Sequence, residues 1–157
     1  MRYCSIILIF IFGSCGTKPY YSEKIEINKL GWLLDDEITF NTQVTDTSAI
    51  YELQMIIDHQ RDYSYENLYL RITTSFPNIE AKTEQLSIDL ADKKGKWVGK
   101  CGSANCECQV YLLEKFKFPA VGEYKFQIEQ FTREDKLLGL NSLELRLLKA
   151  STMNNEG

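Results

Sequence analysis

The chain has 157 residues and a formal net charge of −4, with 44% hydrophobic and 25% charged residues. That length suits one ordinary domain with a core of its own. The acidic balance argues against nucleic acid as a partner and against a polybasic lipid-binding face.

Residues 1–14 read as a lipoprotein signal peptide. Arg2 is a minimal basic head, Ser5 to Phe12 is almost wholly apolar, and Gly13 and Ser14 are the small residues a signal peptidase needs before its cut. The run falls well short of the roughly 18–20 residues of a spanning helix, so it reads as a signal and not a transmembrane anchor. Cys15 then opens the mature chain and takes lipid on its thiol. The alternative is an ordinary secretory signal beside an incidental cysteine. One acyl chain holds a protein only marginally, whereas several, palmitate among them, attach it firmly. Gly16 stands where an inner-membrane retention signal has Asp, and the first acid after Cys15 is Glu23. The expectation is an outer-membrane lipoprotein on the periplasmic face, held to the membrane by its lipid anchor.

Residues 15–24 read as a lipidated tether, 25–150 as one domain and 151–157 as a polar tail. Within the domain the apolar period is two, the mark of half-buried strands. Ile38, Phe40 and Val44 alternate with polar neighbours, as do Tyr51, Leu53, Met55 and Ile57, and then Leu68, Leu70 and Ile72. Leu86, Ile88 and Leu90 follow, then a less regular run from Val110 to Phe118. Tyr124, Phe126 and Ile128 and finally Leu143, Leu145 and Leu147 complete the set. Turn residues separate the runs at Asp46-Thr47-Ser48, Phe76-Pro77-Asn78, Asp92 to Gly95, Pro119 to Gly122 and Leu138-Gly139. The fold class expected is all-β: a single antiparallel β-sandwich of about seven to nine strands, jelly-roll or immunoglobulin-like. Phe131 to Leu138 is expected to be a turn or one helical turn.

Several segments resemble the gliding-motility lipoprotein GldH family. They are Tyr63-Ser64-Tyr65-Glu66-Asn67-Leu68-Tyr69-Leu70 with Thr74 to Asn78, and Leu90-Ala91-Asp92 with Gly95 to Lys100. Phe116 to Pro119, Gly122 to Gln130 and Arg133 to Gly139 follow in order, behind the lipoprotein leader. The resemblance runs from Asp46 to Leu147. It implies an outer-membrane lipoprotein accessory to gliding motility and to the type IX secretion machinery that supports it, with other proteins of that machinery as partners. It implies no catalytic residues. The chain departs from the family pattern at Cys101 to Cys108, where a loop without cysteines is expected.

Cys101, Cys106 and Cys108 are the most chemical-looking cluster. Three thiolates are one short of a closed zinc site. In an oxidising compartment a Cys101–Cys106 disulfide with one thiol left over is the preferred reading, beside all thiols free or a metal. A Cys106–Cys108 bridge would strain the backbone. His59 lacks a nucleophile signature and is expected to be solvated at a strand end. The acids at Asp35, Asp36, Glu37, Glu134 and Asp135 read as solvated loop residues rather than a glycosidase pair. No nucleophile elbow, phosphate loop or calcium loop is present in the sequence. The reading is therefore a protein that is not an enzyme and needs no cofactor or metal.

Among the aromatics, Trp32, Tyr63, Tyr65, Tyr69 and Trp97 could stack on glycans or form a protein-binding hot spot. Trp97 is expected to pack at a sheet end and Tyr63 and Tyr65 to be exposed. The candidate partner contacts are Tyr63, Tyr65, Arg133, Glu134 and Asp135. The function expected is contact with motility and secretion proteins; the alternative is a carbohydrate-binding surface lipoprotein.

Overall fold

A computed structural model describes residues 18–150. The signal peptide 1–14, Cys15 and the tail 151–157 lie outside the described residues. In chain order the strands are β1 (Tyr21–Glu26), β2 (Trp32–Leu33), β3 (Glu37–Val44), β4 (Tyr51–Gln60), β5 (Asn67–Phe76) and β6 (Ile79–Asp89). They continue as β7 (Lys100–Cys101), β8 (Asn105–Phe116), β9 (Gly122–Gln130), β10 (Lys136–Leu137) and β11 (Leu140–Lys149). One sheet has the order β1-β11-β4-β8-β7, the other β3-β9-β5-β6, and β2 pairs with β10 in a two-stranded piece. Every pairing is antiparallel. The domain is an all-β sandwich.

Alternation along the strands decides which faces meet. Phe40, Val44, Tyr124, Phe126, Ile128, Leu68 and Leu70 turn inward from one sheet; Tyr51, Leu53, Met55, Ile57, Leu143, Leu145 and Leu147 do so from the other. Each fully buried side chain of this size contributes roughly 1.5–3 kcal/mol of transfer free energy, and together they close the core.

The strand registers define two poles. Tyr21, Val44, Tyr51, Phe76, Phe116, Gly122 and Lys149 lie at the pole where the chain enters. Gln60, Asn67, Asn105, Gln130 and Leu140 lie at the far pole. β4 spans the distance with ten residues, about 33 Å at 3.3 Å per residue.

Two boundaries differ from the sequence reading. β1 takes in Tyr21 to Lys24, which had read as tether, because Tyr21 to Glu26 pair residue by residue with Leu147 to Ser142. The short alternation there is hidden by an exposed outer face. Phe131 to Leu138 forms no helix: it bends and then gives β10, whose Leu137 pairs with Trp32. That pairing closes the far end of the core, with Trp32 and Leu137 both buried.

Tyr20 fastens the chain just before β1. Its hydroxyl donates to the Gln43 carbonyl at 3.0 Å and accepts from the Thr45 N–H at 3.1 Å. Lys149 Nζ stands 5.1 Å over its ring, and Tyr51 meets it edge-on at 5.5 Å. The entry pole behind it is packed with Phe116, Phe118 and Tyr124 at ring separations of 4.5–5.0 Å.

Candidate functional site: a cleft at the far pole

The β4–β5 connection and the β9–β10 connection meet at the far pole and enclose a cleft of about 540 Å³. Tyr63, Tyr65, Asn67 and Tyr69 line one side; Phe131, Thr132, Arg133, Glu134 and Leu137 line the other. Two stretches chosen separately from the sequence, Tyr63-Ser64-Tyr65 and Arg133-Glu134, thus share one concavity. Asp135 does not line it. It is exposed alongside, and its carbonyl accepts the Leu34 N–H at 2.9 Å.

Tyr63, expected to be exposed, is buried at 5% and forms the floor. A turn closed by Tyr63 N–H donating to the Gln60 carbonyl at 3.1 Å folds it back over the end of the core. Gly139 makes room for it: at φ +86° and without a side chain, that backbone lies against the tyrosine ring. Burial and the neighbouring Tyr65 push the Tyr63 hydroxyl above its ordinary pKa. Tyr65 stays 38% exposed on the rim. Desolvation and then the Glu134 carboxylate raise its hydroxyl pKa as well, so both rings are neutral hydrogen-bonding groups at neutral pH. Tyr65 meets Tyr63 edge-on at 5.7 Å with a 68° interplanar angle.

The opposite wall is held from behind. Gln130, 2% exposed, donates from Nε2 to the Glu134 carbonyl at 2.9 Å, and its Oε1 accepts from the Thr132 N–H and hydroxyl. Phe131 is braced by Arg71, whose guanidinium carbon lies 4.3 Å from the ring centroid, with Glu129 3.5 Å away from that guanidinium. Asn67 Nδ2 donates to the Tyr69 hydroxyl at 3.0 Å. The cleft is therefore held by hydrogen bonds and packing on both sides, lined by four aromatic rings, and edged by one base and one acid. Gln130, Phe131 and Arg71 were not singled out from the sequence. Gln130 sits in the apolar parity of β9 with Tyr124, Phe126 and Ile128, and a polar residue at an inward position is the available signal.

His59, expected to be solvated, is fully buried beneath this site. β4 continues to Gln60, so His59 keeps the inward parity of Tyr51, Leu53, Met55 and Ile57. Its Nδ1 bonds the Gln60 carbonyl at 2.9 Å; Trp97 packs edge-on at 4.6 Å and Tyr63 lies tilted to it at 5.7 Å. Trp97 is half-buried and its indole N–H donates to the Arg61 carbonyl at 3.0 Å. Trp32 belongs to the core. The structure joins Cys101 and Cys106, register partners of β7 and β8, in a disulfide. Cys108 is a buried thiol, its pKa raised by desolvation, and a thiol so placed is a poor nucleophile.

The GldH lipoprotein family model matches residues 19–147. The chain belongs to the GldH lipoprotein family. A gliding motility lipoprotein GldH homolog of Christiangramia forsetii is 30% identical over 140 residues, covering 88% of this chain and 85% of the relative. The gliding motility lipoprotein GldH of Flavobacterium johnsoniae is 30% identical over 139 residues, covering 88% and 84%. Among solved structures, that of infectious bursal disease virus Gx strain aligns with 86% of this chain and 34% of its own, at 8% identity and a TM-score of 0.29. A likeness at that level carries no argument about this family member. The family match takes in both walls of the cleft, Gln130 and the cysteine segment.

Proposed function

We propose that this GldH family member is a non-enzymatic lipoprotein, acylated at Cys15 and held at the periplasmic face of the outer membrane. It serves gliding motility and the associated type IX secretion machinery by binding another protein of that machinery. The observation that carries the reading is the far-pole cleft. Its Tyr65, Tyr69 and Arg133 are residue types enriched in protein-binding hot spots, Phe131 is of a type enriched in interfaces, and the three aromatics are exposed around one concavity. Leu33, Leu34 and Leu138, all exposed, extend the apolar surface beside β2 and β10. The cleft favours a partner's apolar side chain over a sugar. Sugar platforms need a flat row of rings, and Tyr63 and Tyr65 stand at 68° to each other. The names of the two relatives support the motility assignment, and the acid-free stretch from Cys15 to Ser22 supports the periplasmic face.

The test is a chromosomal Tyr65→Ala/Phe131→Ala/Arg133→Ala variant. These side chains are exposed, so the domain should fold and accumulate normally, while spreading on agar and export of type IX substrates fall toward the deletion strain. Unchanged spreading and export at normal protein level would exclude the cleft as the working surface.

A further inference from the structure

We propose that the entry pole is a second membrane contact: it rests its loop tips in the lipid interface of the leaflet that holds the anchor. This rests on acylation of Cys15. The tether is short. Tyr20 lies five positions after Cys15, a span that at full extension reaches about 17 Å. Tyr20 is not free to lengthen it, because its hydroxyl is bonded to Gln43 and Thr45 and its ring lies under Lys149. The entry pole is therefore held within one tether length of the acyl chains, while the far pole stands a further ~33 Å away along β4.

Three loop tips of the entry pole end in exposed apolar residues: Ile50 at 39%, Ile79 at 52% and Val121 at 60%. They are presented by fixed backbone. Ala150 N–H donates to the Ile50 carbonyl at 2.8 Å. Gly122, at φ +141°, has no side chain to keep Pro77 away, so the loop carrying Val121 packs on the turn that leads into Ile79. The aromatic cluster of Tyr51, Phe116, Phe118 and Tyr124 packs behind the tips.

Charge does not supply the attraction. Lys149 is paired with Asp46 at 3.0 Å, and Lys18 and Lys117 are offset by Glu80 and Glu123 in the sequence around the same loops. A near-neutral pole with apolar tips takes the interface by burial of side chains a few ångströms deep, and a contact of that kind survives high salt. It also fixes orientation, pointing the far-pole cleft away from the anchoring leaflet.

The test uses the acylated full-length protein, reconstituted in vesicles of phosphatidylethanolamine and phosphatidylglycerol with or without acyl-chain bromination. Val121→Trp and Ile79→Trp each place a reporter at the entry pole; Leu30→Trp, at a position 75% exposed beside Gly31 and β10, reports on the far pole. Read as the difference from the parent protein, whose Trp32 and Trp97 are common to all three variants, bromolipid quenching should be about twofold greater for the two entry-pole reporters than for the Leu30→Trp reporter, in low and high salt alike. Equal quenching of all three, or stronger quenching at Leu30→Trp, overturns the contact while leaving the anchor intact. Mass spectrometry reads the anchor separately: an unmodified Cys15 overturns the anchoring reading and this one with it.

Discussion

The side chain of Gln130 reaches the backbone of Glu134 at 2.9 Å, and that one bond sets the shape of the cleft wall. The same amide accepts from Thr132 through its oxygen, so one buried residue holds both ends of the connection carrying Arg133. Gln130→Leu keeps the volume and removes all three bonds. It leaves a backbone N–H and a carbonyl unsatisfied next to the core. A loss of about 1–3 kcal/mol is expected in urea unfolding, with faster amide exchange confined to Thr132–Asp135. A variant as stable as the parent, with the loop still protected, would show that the wall holds itself.

Most of the sandwich was legible because period-two alternation survives wherever one face of a strand is buried. β3, β4, β5, β9 and β11 follow that rule, and their inward residues are the core. β1 was missed because an edge strand with an exposed face lacks a strong signal: Ser22, Glu23 and Lys24 are all exposed. β6 begins earlier than its apolar run for the same reason, since Ile79 to Gln85 are exposed and carried by pairing with β5. The cleft was half legible. Composition pointed to Tyr65 and Arg133, but their meeting depends on β5 lying beside β9, a long-range pairing no local pattern encodes. Tyr63 and His59 were misplaced because both lie where a strand runs out into a turn, and local polarity there says nothing about what closes the end of a core.

The disulfide and the neighbouring thiol should separate cleanly in experiment. Cys101 and Cys106 are five residues apart, and closing so short a loop is worth about 2 kcal/mol in the chain-entropy picture. Cys101→Ser/Cys106→Ser should lower unfolding free energy by that order and leave the fold intact. Cys108 is 1% exposed with its pKa raised by burial. Ellman's reagent should therefore find no reactive thiol in the native protein and one in urea. A thiol titrating at once in the native state would mean the bridge is absent or Cys108 is open to solvent.

Gly99 leads into β7, at φ +106°, and a Cβ there would overlap the Glu107 carbonyl oxygen of β8. That oxygen is backbone in the middle of a ladder and cannot swing aside. Gly99→Ala combines a left-handed backbone with a clash, so a loss above about 2 kcal/mol is expected. Thermal unfolding measures it, and Gly102→Ala, where a Cβ meets nothing closer than 3.8 Å, is the matched control. Equal melting temperatures for the two would refute the clash.

Asp46 ties stability to acid. The Ser48 hydroxyl donates to its carboxylate at 2.7 Å, Lys149 stands 3.0 Å away, and the Ser48 N–H donates at 2.9 Å. Those groups, in that order of effect, hold Asp46 well below the ordinary carboxylate range. A group whose folded pKa is depressed stabilises fully above its unfolded value, about 3.9 for Asp, and loses that contribution as pH falls toward the folded value. Urea unfolding free energy should therefore drop below about pH 4, and Asp46→Asn should flatten part of that drop. Glu37, Asp92 and Glu144, also held low by hydrogen bonds, act in the same direction. Because the leading cause is a local hydroxyl and not Lys149, high salt should weaken the effect only in part. An acid limb in Asp46→Asn that superimposes on the parent's would remove Asp46 from the account.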